Sequence, residues 1–568
     1  MSVSSVLASI TGVSAFVGAG VLGSDRFGWG RGSGDGSRFG TRRPSLPPPG
    51  RRVPPRPDAG ARQAGVPGRT GRTTWTGRNR WGRRGGPAAR WATPGDLGSL
   101  VLSSRRAGSP PPAGRLVLGR TGRSLVATER AQSVIVFGPT QSHKTSGFAV
   151  PALLEWSGPV VAASVKTDLI DHTIDHRRSC GEVQCFDPSG STGMASATWT
   201  PLAAARTWPA ARRAAAALTE VAKSSVGTMT DGDFWYATAS RMLAPLLFAA
   251  AVGRRDMGDV VRWVDTQEES EVLELLVAAG VPEAVHAARS AFGKEERQRS
   301  SIYTTVETIL EPFAATARPP GTAPWGATGG WSAGAADRTG DRAGDGAADG
   351  AAGQPVVDPV RLVSGNNTLY LCAPAHDQRR LTPLFVSVVR QIIEHVYDQV
   401  TLTHRPLDPP LLVVLDEAAN IAPLADLDAL AATAAGHGVQ LVTVWHDLAQ
   451  ITARYGPRAT TVVNNHRAKL FLSGISDPST LDYASHLIGD EEVLLPATTQ
   501  GGRSGPSTTR SPTTRRLAPP EALRRIAPGQ GVLLYADLPP ARLRLRPWFA
   551  DPDLRSRAHG PTGLGPED

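Results

Sequence analysis

The chain is poor in cysteine: Cys180, Cys185 and Cys372 are the only three in 568 residues. An odd count without metal-like spacing argues against a disulfide framework and fits reduced thiols in a cytoplasmic protein. Cys180 and Cys185 flank a predicted turn and read as packing residues. Lysine is missing from residues 25–130, which hold 22 arginines and five acidic residues, a balance of +17. The whole chain is +10, so the remainder carries −7. The basic character therefore belongs to one segment, and a nucleic-acid argument from overall pI would concern that segment alone. Internal repeats are also missing.

What is present is a chain long enough for two or three domains, with 40% hydrophobic residues to supply a core. Residues 3–22 carry no charge. As a helix they would span roughly 30 Å, one bilayer core. The run is rich in Ser and Gly and no basic residue precedes it, which argues against a signal peptide. It reads as a membrane anchor (residues 1–24) or as a disordered small-residue terminus. The arginines that follow would keep the next segment in the cytoplasm. Residues 25–114 are dense in Gly, Pro and Arg and cannot bury enough apolar surface to offset chain entropy. They are expected to be a disordered linker, although Trp29, Trp75, Trp81 and Trp91 among the arginines would suit single strands or anionic headgroups.

Ordered structure is expected from about residue 115. Apolar strands alternate with helical stretches: 133–137, 159–165 and 183–186, then 368–374, 411–415, 439–445, 468–474 and 531–536. This alternation predicts an α/β fold with a predominantly parallel sheet, built from 115–202 and 357–549. Between the two halves, 203–313 reads as helices only, an inserted all-α domain. Its run 234–253 is long and apolar, but Arg241 in the middle marks a core helix rather than a membrane span. Residues 317–356 are a low-complexity insertion, 497–516 a polar loop and 550–568 a disordered tail. Pro151 should kink the helix over 145–156.

Two segments carry chemistry. The first, 133-SVIVFGPTQSHKTSG-147, runs strand, loop, helix. That is the layout of a P-loop, in which backbone N–H groups surround phosphates, a lysine adds charge and a hydroxyl ligates Mg²⁺. Gly138, Pro139, Thr140, Gln141, Ser142, His143, Lys144 and Thr145 form the candidate loop, with Lys144 and Thr145 in the charge and metal roles. The pattern G-x-x-x-x-H-K-T is incomplete, because His143 stands where a glycine normally precedes the lysine. An imidazole there would crowd the phosphates or point outward and leave the loop usable. The second segment, 411-LLVVLDEAAN-420, ends an apolar strand in Asp416 and Glu417. Such a pair suits Mg²⁺ binding, by Asp416, and water activation, by Glu417.

With these pieces in order, the chain resembles the TraG/TraD-type coupling proteins of type IV secretion. The resemblance covers roughly 131–313 and 357–549 and is carried by GPTQSHKTSG, SVKTDL (164–169), FDPSG (186–190), TWTPL (198–202), DFW (233–235), RSSIYTTVETILEPF (299–313), TLYLCAP, LDEAANIAPL (415–424), WHDLAQITARYG (445–456) and the closing 522–548. It implies a RecA-like P-loop NTPase core with the all-α insertion, ATP and Mg²⁺ as ligands, DNA, channel and relaxase-like proteins as partners, assembly as a homo-hexamer, and a place at the cytoplasmic face of the membrane through 3–22. It also implies a catalytic set of Lys144, Asp416 and Glu417, and γ-phosphate sensing by Gln450. His446 stands where the family more often has glutamine. Arg454, Arg458 and Arg467 are candidates for an arginine finger supplied to a neighbouring subunit. The expected function is ATP-driven DNA translocation to a conjugation channel; the alternative is a ring-forming recruiter whose hydrolysis His143 impairs. A septal DNA pump would share the motor but should end in a basic winged-helix domain, which the polar run 551–568 does not provide.

Overall fold

A computed structural model of the chain describes residues 88–102, 111–226, 232–314, 355–501 and 505–559. The apolar run 3–22, the Arg-rich residues 25–87 and most of the 317–356 insertion lie outside the described residues. In chain order the strands are β1 (Val101–Leu102), β2 (Val117–Thr121), β3 (Ser124–Ala127), β4 (Val134–Phe137), β5 (Val160–Ser164), β6 (Val183–Phe186), β7 (Thr368–Cys372), β8 (Leu411–Leu415), β9 (Val439–Trp445), β10 (Ala468–Leu472), β11 (Asp490–Gly501), β12 (Gly505–Arg516), β13 (Gln530–Tyr535) and β14 (Ala541–Arg544).

Twelve of them form one sheet. Seven make a parallel core in the spatial order β10-β4-β9-β8-β5-β7-β6. On the β10 side it continues, antiparallel, through β13, β14, β2, β3 and β1. The sheet is thus α/β and mostly parallel, as its sequence pattern leads one to expect. The strands are near-continuous apolar runs because both faces are covered. Successive residues point to opposite faces. Val134, Val136, Val160 and Val414 join the core that holds the helix after β4, with Phe148, Leu153 and Leu154. Ile135, Phe137, Val161 and Leu415 join the other core, which runs on into the helical insertion and into the helix Gln378–Thr403.

The insertion between β6 and β7 contains the helices Trp208–Val226, Gly232–Val252, Met257–Asp265, Ser270–Ala278, Pro282–Phe292 and Glu296–Ala314. Gly232–Val252 is its central helix, with Met242, Leu243, Leu246, Leu247 and Phe248 buried. Arg241 on that helix is exposed. Among the described residues no helix is long and apolar enough to cross a membrane. The three cysteines are free thiols, and Cys185 and Cys372 are buried on the neighbouring strands β6 and β7.

Four local expectations are corrected. The polar loop expected over 497–516 is strand where it is described: β11 and β12 pair antiparallel from Asp490↔Arg516 to Gly501↔Gly505. The segment is polar, but its threonines favour extended backbone. Part of the expected tail is a helix, Pro552–His559, whose Leu554 is fully buried. Part of the expected linker is ordered as well, with Leu97 and Leu100 buried and β1 paired to β3. Finally, Pro151 does not kink a continuous α-helix. Thr145–Ala149 is a π-turn, followed by the α-helix Val150–Glu155. Proline has no N–H for the carbonyl four residues back, that of Gly147. The wide turn frees the carbonyls of Ser146 and Gly147, and these accept from the N–H groups of Trp548 (3.0 Å) and Arg546 (3.4 Å). A C-terminal segment therefore closes the hydrogen bonds that the proline leaves open.

Candidate nucleotide site

In the parallel core β4, β9 and β8 are neighbours, so their carboxyl ends lie side by side. The loop 138–144 follows β4, His446 follows β9, and Asp416-Glu417 follows β8. Crevices at such carboxyl edges are where open α/β sheets bind ligands. Two strand spacings, about 10 Å, separate β4 from β8, a gap that a loop and side chains can close.

They do close it. The Thr145 hydroxyl donates to Asp416 Oδ2 at 2.8 Å. Lys144 Nζ stands 3.8 Å from Glu417 Oε1 and 3.1 Å from His446 Nε2. Glu417 Oε1 is 3.9 Å from the same ring nitrogen, beyond hydrogen-bond range. Gln450 Oε1 accepts the His446 N–H at 2.9 Å, which fixes the end of β9. Sequence-predicted residues from three separated segments thus meet in one place.

The loop geometry explains its residue types. A Cβ on Gly138 would come within 2.5 Å of Ser142 Oγ, so a glycine belongs there for space. The Ser142 hydroxyl in turn donates to the Pro139 carbonyl at 2.8 Å. Thr140 and Gln141 are exposed on the outside of the loop. Gln141 and His143 both have left-handed backbone, φ 65 and 63. Glycine takes that region freely, which accounts for the usual residue before the lysine; histidine is one of the few others found there. The His143 ring is turned toward the following helix, its Nδ1 3.1 Å from Ser146 Oγ and its centroid 6.4 Å from that of Phe549.

Electrostatics separate the two carboxylates. Asp416 is 4% exposed, and burial pushes its carboxyl up to about 6, although the Thr145 hydroxyl and Lys144 oppose that. Glu417 is held below its ordinary value by the His446 ring and Lys144, against its own partial burial. Glu417 also has left-handed backbone, φ 65 and ψ 54. Asp416 Oδ1 is buried with no hydrogen-bond partner among the described residues, and so is Asp168 Oδ1. An orphaned carboxylate oxygen next to a threonine hydroxyl is an oxygen donor set of the kind Mg²⁺ takes. Among the described residues no cluster of three His, Cys, Asp or Glu could hold a metal unaided. A cation here would complete its shell with phosphate oxygens and water. Asp168, just beyond β5, adds negative charge near Asp416. Its position at a strand end was visible in the sequence; its proximity was not.

The three candidate finger arginines are all engaged. Arg467 pairs with Glu129 at 2.9 Å, Arg458 pairs with Asp428 at 3.2 Å, and Arg454 reaches the Pro423 carbonyl at 3.4 Å. A cavity of about 780 Å³ lies elsewhere, in the helical insertion, lined by Trp208, Met242 and the cations Arg212, Arg213, Arg241 and Lys294.

The sequence matches two family models. One, described as type IV secretory system conjugative DNA transfer, covers residues 105–317. The other, described as the TraM recognition site of TraD and TraG, covers 410–528. The conjugal transfer protein TraG of Rhizobium radiobacter is 22% identical over 448 residues, 76% of this chain and 64% of its own length. That of Agrobacterium fabrum is 22% identical over 437 residues, 74% of this chain and 61% of its own. The chain thus spans a little under two thirds of both. A TraG protein of Escherichia coli is 23% identical over 487 residues, 76% of this chain and 69% of its own. Among solved structures, the bacterial conjugative coupling protein TrwBdeltaN70 with sulphate superposes with a TM-score of 0.56 at 16% identity, covering 82% of this chain and 95% of that one. The plasmid coupling protein TrwB in complex with ADP and Mg²⁺ gives 0.54 at 15% identity, covering 82% and 96%. At these identities the structural likeness is one of fold.

Proposed function

Because this chain belongs to the TraG/TraD-type coupling proteins of type IV secretion, we propose that it is an ATP-driven DNA translocase that delivers DNA, or a protein–DNA substrate, to a conjugation channel. The observation that carries this reading is the meeting of Lys144, Thr145, Asp416 and Glu417 at one sheet edge, with a buried Asp416 oxygen left without a partner. The complex of TrwB with ADP and Mg²⁺ supports the choice of ligand.

In this reading Lys144 exchanges Glu417 and His446 for the β- and γ-phosphates. Thr145 and Asp416 would hold Mg²⁺, which supplies charge neutralisation on the phosphates. Gly138, Pro139, Thr140, Gln141, Ser142 and His143 wrap the phosphates with backbone. Glu417, relieved of Lys144, orients the attacking water and takes its proton. Gln450 positions the β9 end, so that His446 can report whether the γ-phosphate is present. The cation-lined cavity of the insertion supports a polyanionic substrate. A homo-hexameric ring, relaxase-like and channel partners, and a cytoplasmic-face location through residues 3–22 complete the proposal; the finger arginine is one of Arg454, Arg458 and Arg467.

The test is DNA-stimulated phosphate release by the purified chain, compared with Lys144→Ala and Glu417→Gln. Release that both substitutions abolish supports the motor; release indifferent to both ends it. The left-handed His143 favours a second reading, a ring-forming recruiter without efficient hydrolysis. Silence from the native chain together with activity in His143→Gly would select it.

A further inference from the structure

We infer that Phe549, with the His143 ring beside it, is the platform on which the nucleotide's base rests, so that the C-terminal segment 545–549 is part of the nucleotide site. The inference rests on the P-loop reading above and adds a residue to it.

Four observations converge. Phe549 is an aromatic left 48% exposed immediately beside the phosphate loop. It is not loosely held. The N–H groups of Arg546 and Trp548 bond the carbonyls of Gly147 and Ser146. The Trp548 ring lies 4.3 Å from that of His172 and meets Phe549 edge-on at 5.9 Å. Arg546 is pinned in the interior between Glu155 (2.8 Å) and Asp551 (2.9 Å). The segment therefore presents Phe549 from a fixed backbone.

Direction is the second point. Lys144 and Thr145 face Asp416 and Glu417, which sets the β- and γ-phosphate end of the site. In a P-loop the nucleoside lies at the other end, past the α-phosphate. His143, Ser146 and Phe549 contact one another, and no contact of theirs with Asp416 or Glu417 is found among the described residues, whereas Lys144 and Thr145 do reach those carboxylates. Third, His143 keeps a left-handed backbone that glycine would take without strain. An outlier of this kind at a ligand site calls for a compensating contact. Its ring, 3.1 Å from the Ser146 hydroxyl, stands as a second aromatic wall beside Phe549, inclined to it by 52° with the centroids 6.4 Å apart. Fourth, a base has a π-face and no charge, which matches a phenyl ring and an imidazole that contact no carboxylate among the described residues.

Stacking on an aromatic ring is tolerant of base identity. The expected effect of removing the phenyl ring is therefore a loss of about tenfold to a hundredfold in affinity for ATP and GTP alike. The experiment is calorimetric titration of the full chain with Mg-ATP, Mg-GTP and inorganic tripolyphosphate, for the native protein, Phe549→Ala and Phe549→Tyr. The inference requires that Phe549→Ala lose affinity for both nucleotides but hold tripolyphosphate as the native chain does, and that Phe549→Tyr bind all three normally. Should Phe549→Ala melt early, Phe549→Leu, which keeps apolar bulk without the π-face, takes its place under the same criterion. Native binding of all three with no change in the alanine or leucine variant overturns the platform and leaves the P-loop reading standing. Equal losses for nucleotides and tripolyphosphate also overturn it, since the ring would then support the loop and not the base. A native chain that binds none of the three overturns both readings.

Discussion

Asp416 occupies a place where an ionised carboxylate is expensive to keep. It is buried, and its pKa stands at about 6, above the ordinary carboxylate value. The unfolded chain releases this proton near pH 4, the folded chain near 6, so between these values the folded state holds more protons. Stability contributed by this residue is therefore greatest below pH 4 and declines as pH rises to 6. A shift of this size corresponds to ~3 kcal/mol at neutral pH. Asp416→Asn is accordingly expected to raise the urea midpoint at pH 7.5 and to lose that advantage at pH 4, while Mg²⁺-dependent nucleotide binding disappears. The same proton competes with the metal, so Mg-ATP affinity of the native chain should fall as pH is lowered through 6. An asparagine variant that is no more stable than the native chain at pH 7.5 would contradict the assigned burial cost. His143 offers a contrasting case: left-handed backbone disfavours a side chain by about 1–2 kcal/mol. His143→Gly should relieve this strain, and because glycine also loosens the unfolded chain, the net change in melting temperature should be small. The clearer readout is phosphate release, which rises if the imidazole limits turnover.

At the scale of elements, the strap that docks behind the P-loop is held by a buried ion-pair network. Arg546 is 4% exposed as a side chain and contacts Glu155 and Asp551, and Arg120 adds a bridge to Asp551 at 3.2 Å. Removing one member of such a network leaves the others buried and uncompensated, which typically costs about 3–5 kcal/mol. Arg546→Met should lower stability by that order, measured by urea unfolding, and Glu155→Gln in the same chain should recover part of it. No recovery would mean that packing of the arginine stem, not charge, is what matters. None of this was legible in the sequence, where Glu155 and Arg546 are 391 positions apart. The strands and the P-loop were legible, because an apolar run that stops abruptly at Gly138 or Asp416 states its own boundary. The π-turn was not, because it depends on N–H groups donated from Arg546 and Trp548. The helix Pro552–His559 was missed for the same reason: its composition is polar, and only Leu554 and Ala558 are buried. Strands β11 and β12 were not legible because they pair only with each other and carry polar residues without an apolar alternation, so the extended preference of their threonines is their one signal.

For the molecule as a whole, charge is distributed in a way that can be turned into a measurement. Residues 25–130 carry +17 and the rest −7. Within that acidic remainder, the cavity of the helical insertion gathers Arg212, Arg213, Arg241 and Lys294 around one space with no carboxylate in its lining. Arg213 is engaged with Asp398 at 3.8 Å; no ion pair is found for the other three among the described residues. Like charges held together repel, and a polyanion relieves them. If DNA passes this surface, each lost cation removes about one counterion-release contribution, so the slope of log affinity against log salt should become shallower. Full-length chain with Arg212, Arg241 and Lys294 all changed to glutamine should therefore show a slope for a fluorescent single-stranded oligonucleotide reduced by about 2 relative to native, at about 0.7 for each cation lost. Nucleotide binding without DNA should not change, because none of the three lies at the sheet edge. The arginines of 25–130 contribute equally to both proteins and cancel in the comparison. An unchanged slope would place the DNA contact on the basic segment and leave the cavity to some other anion.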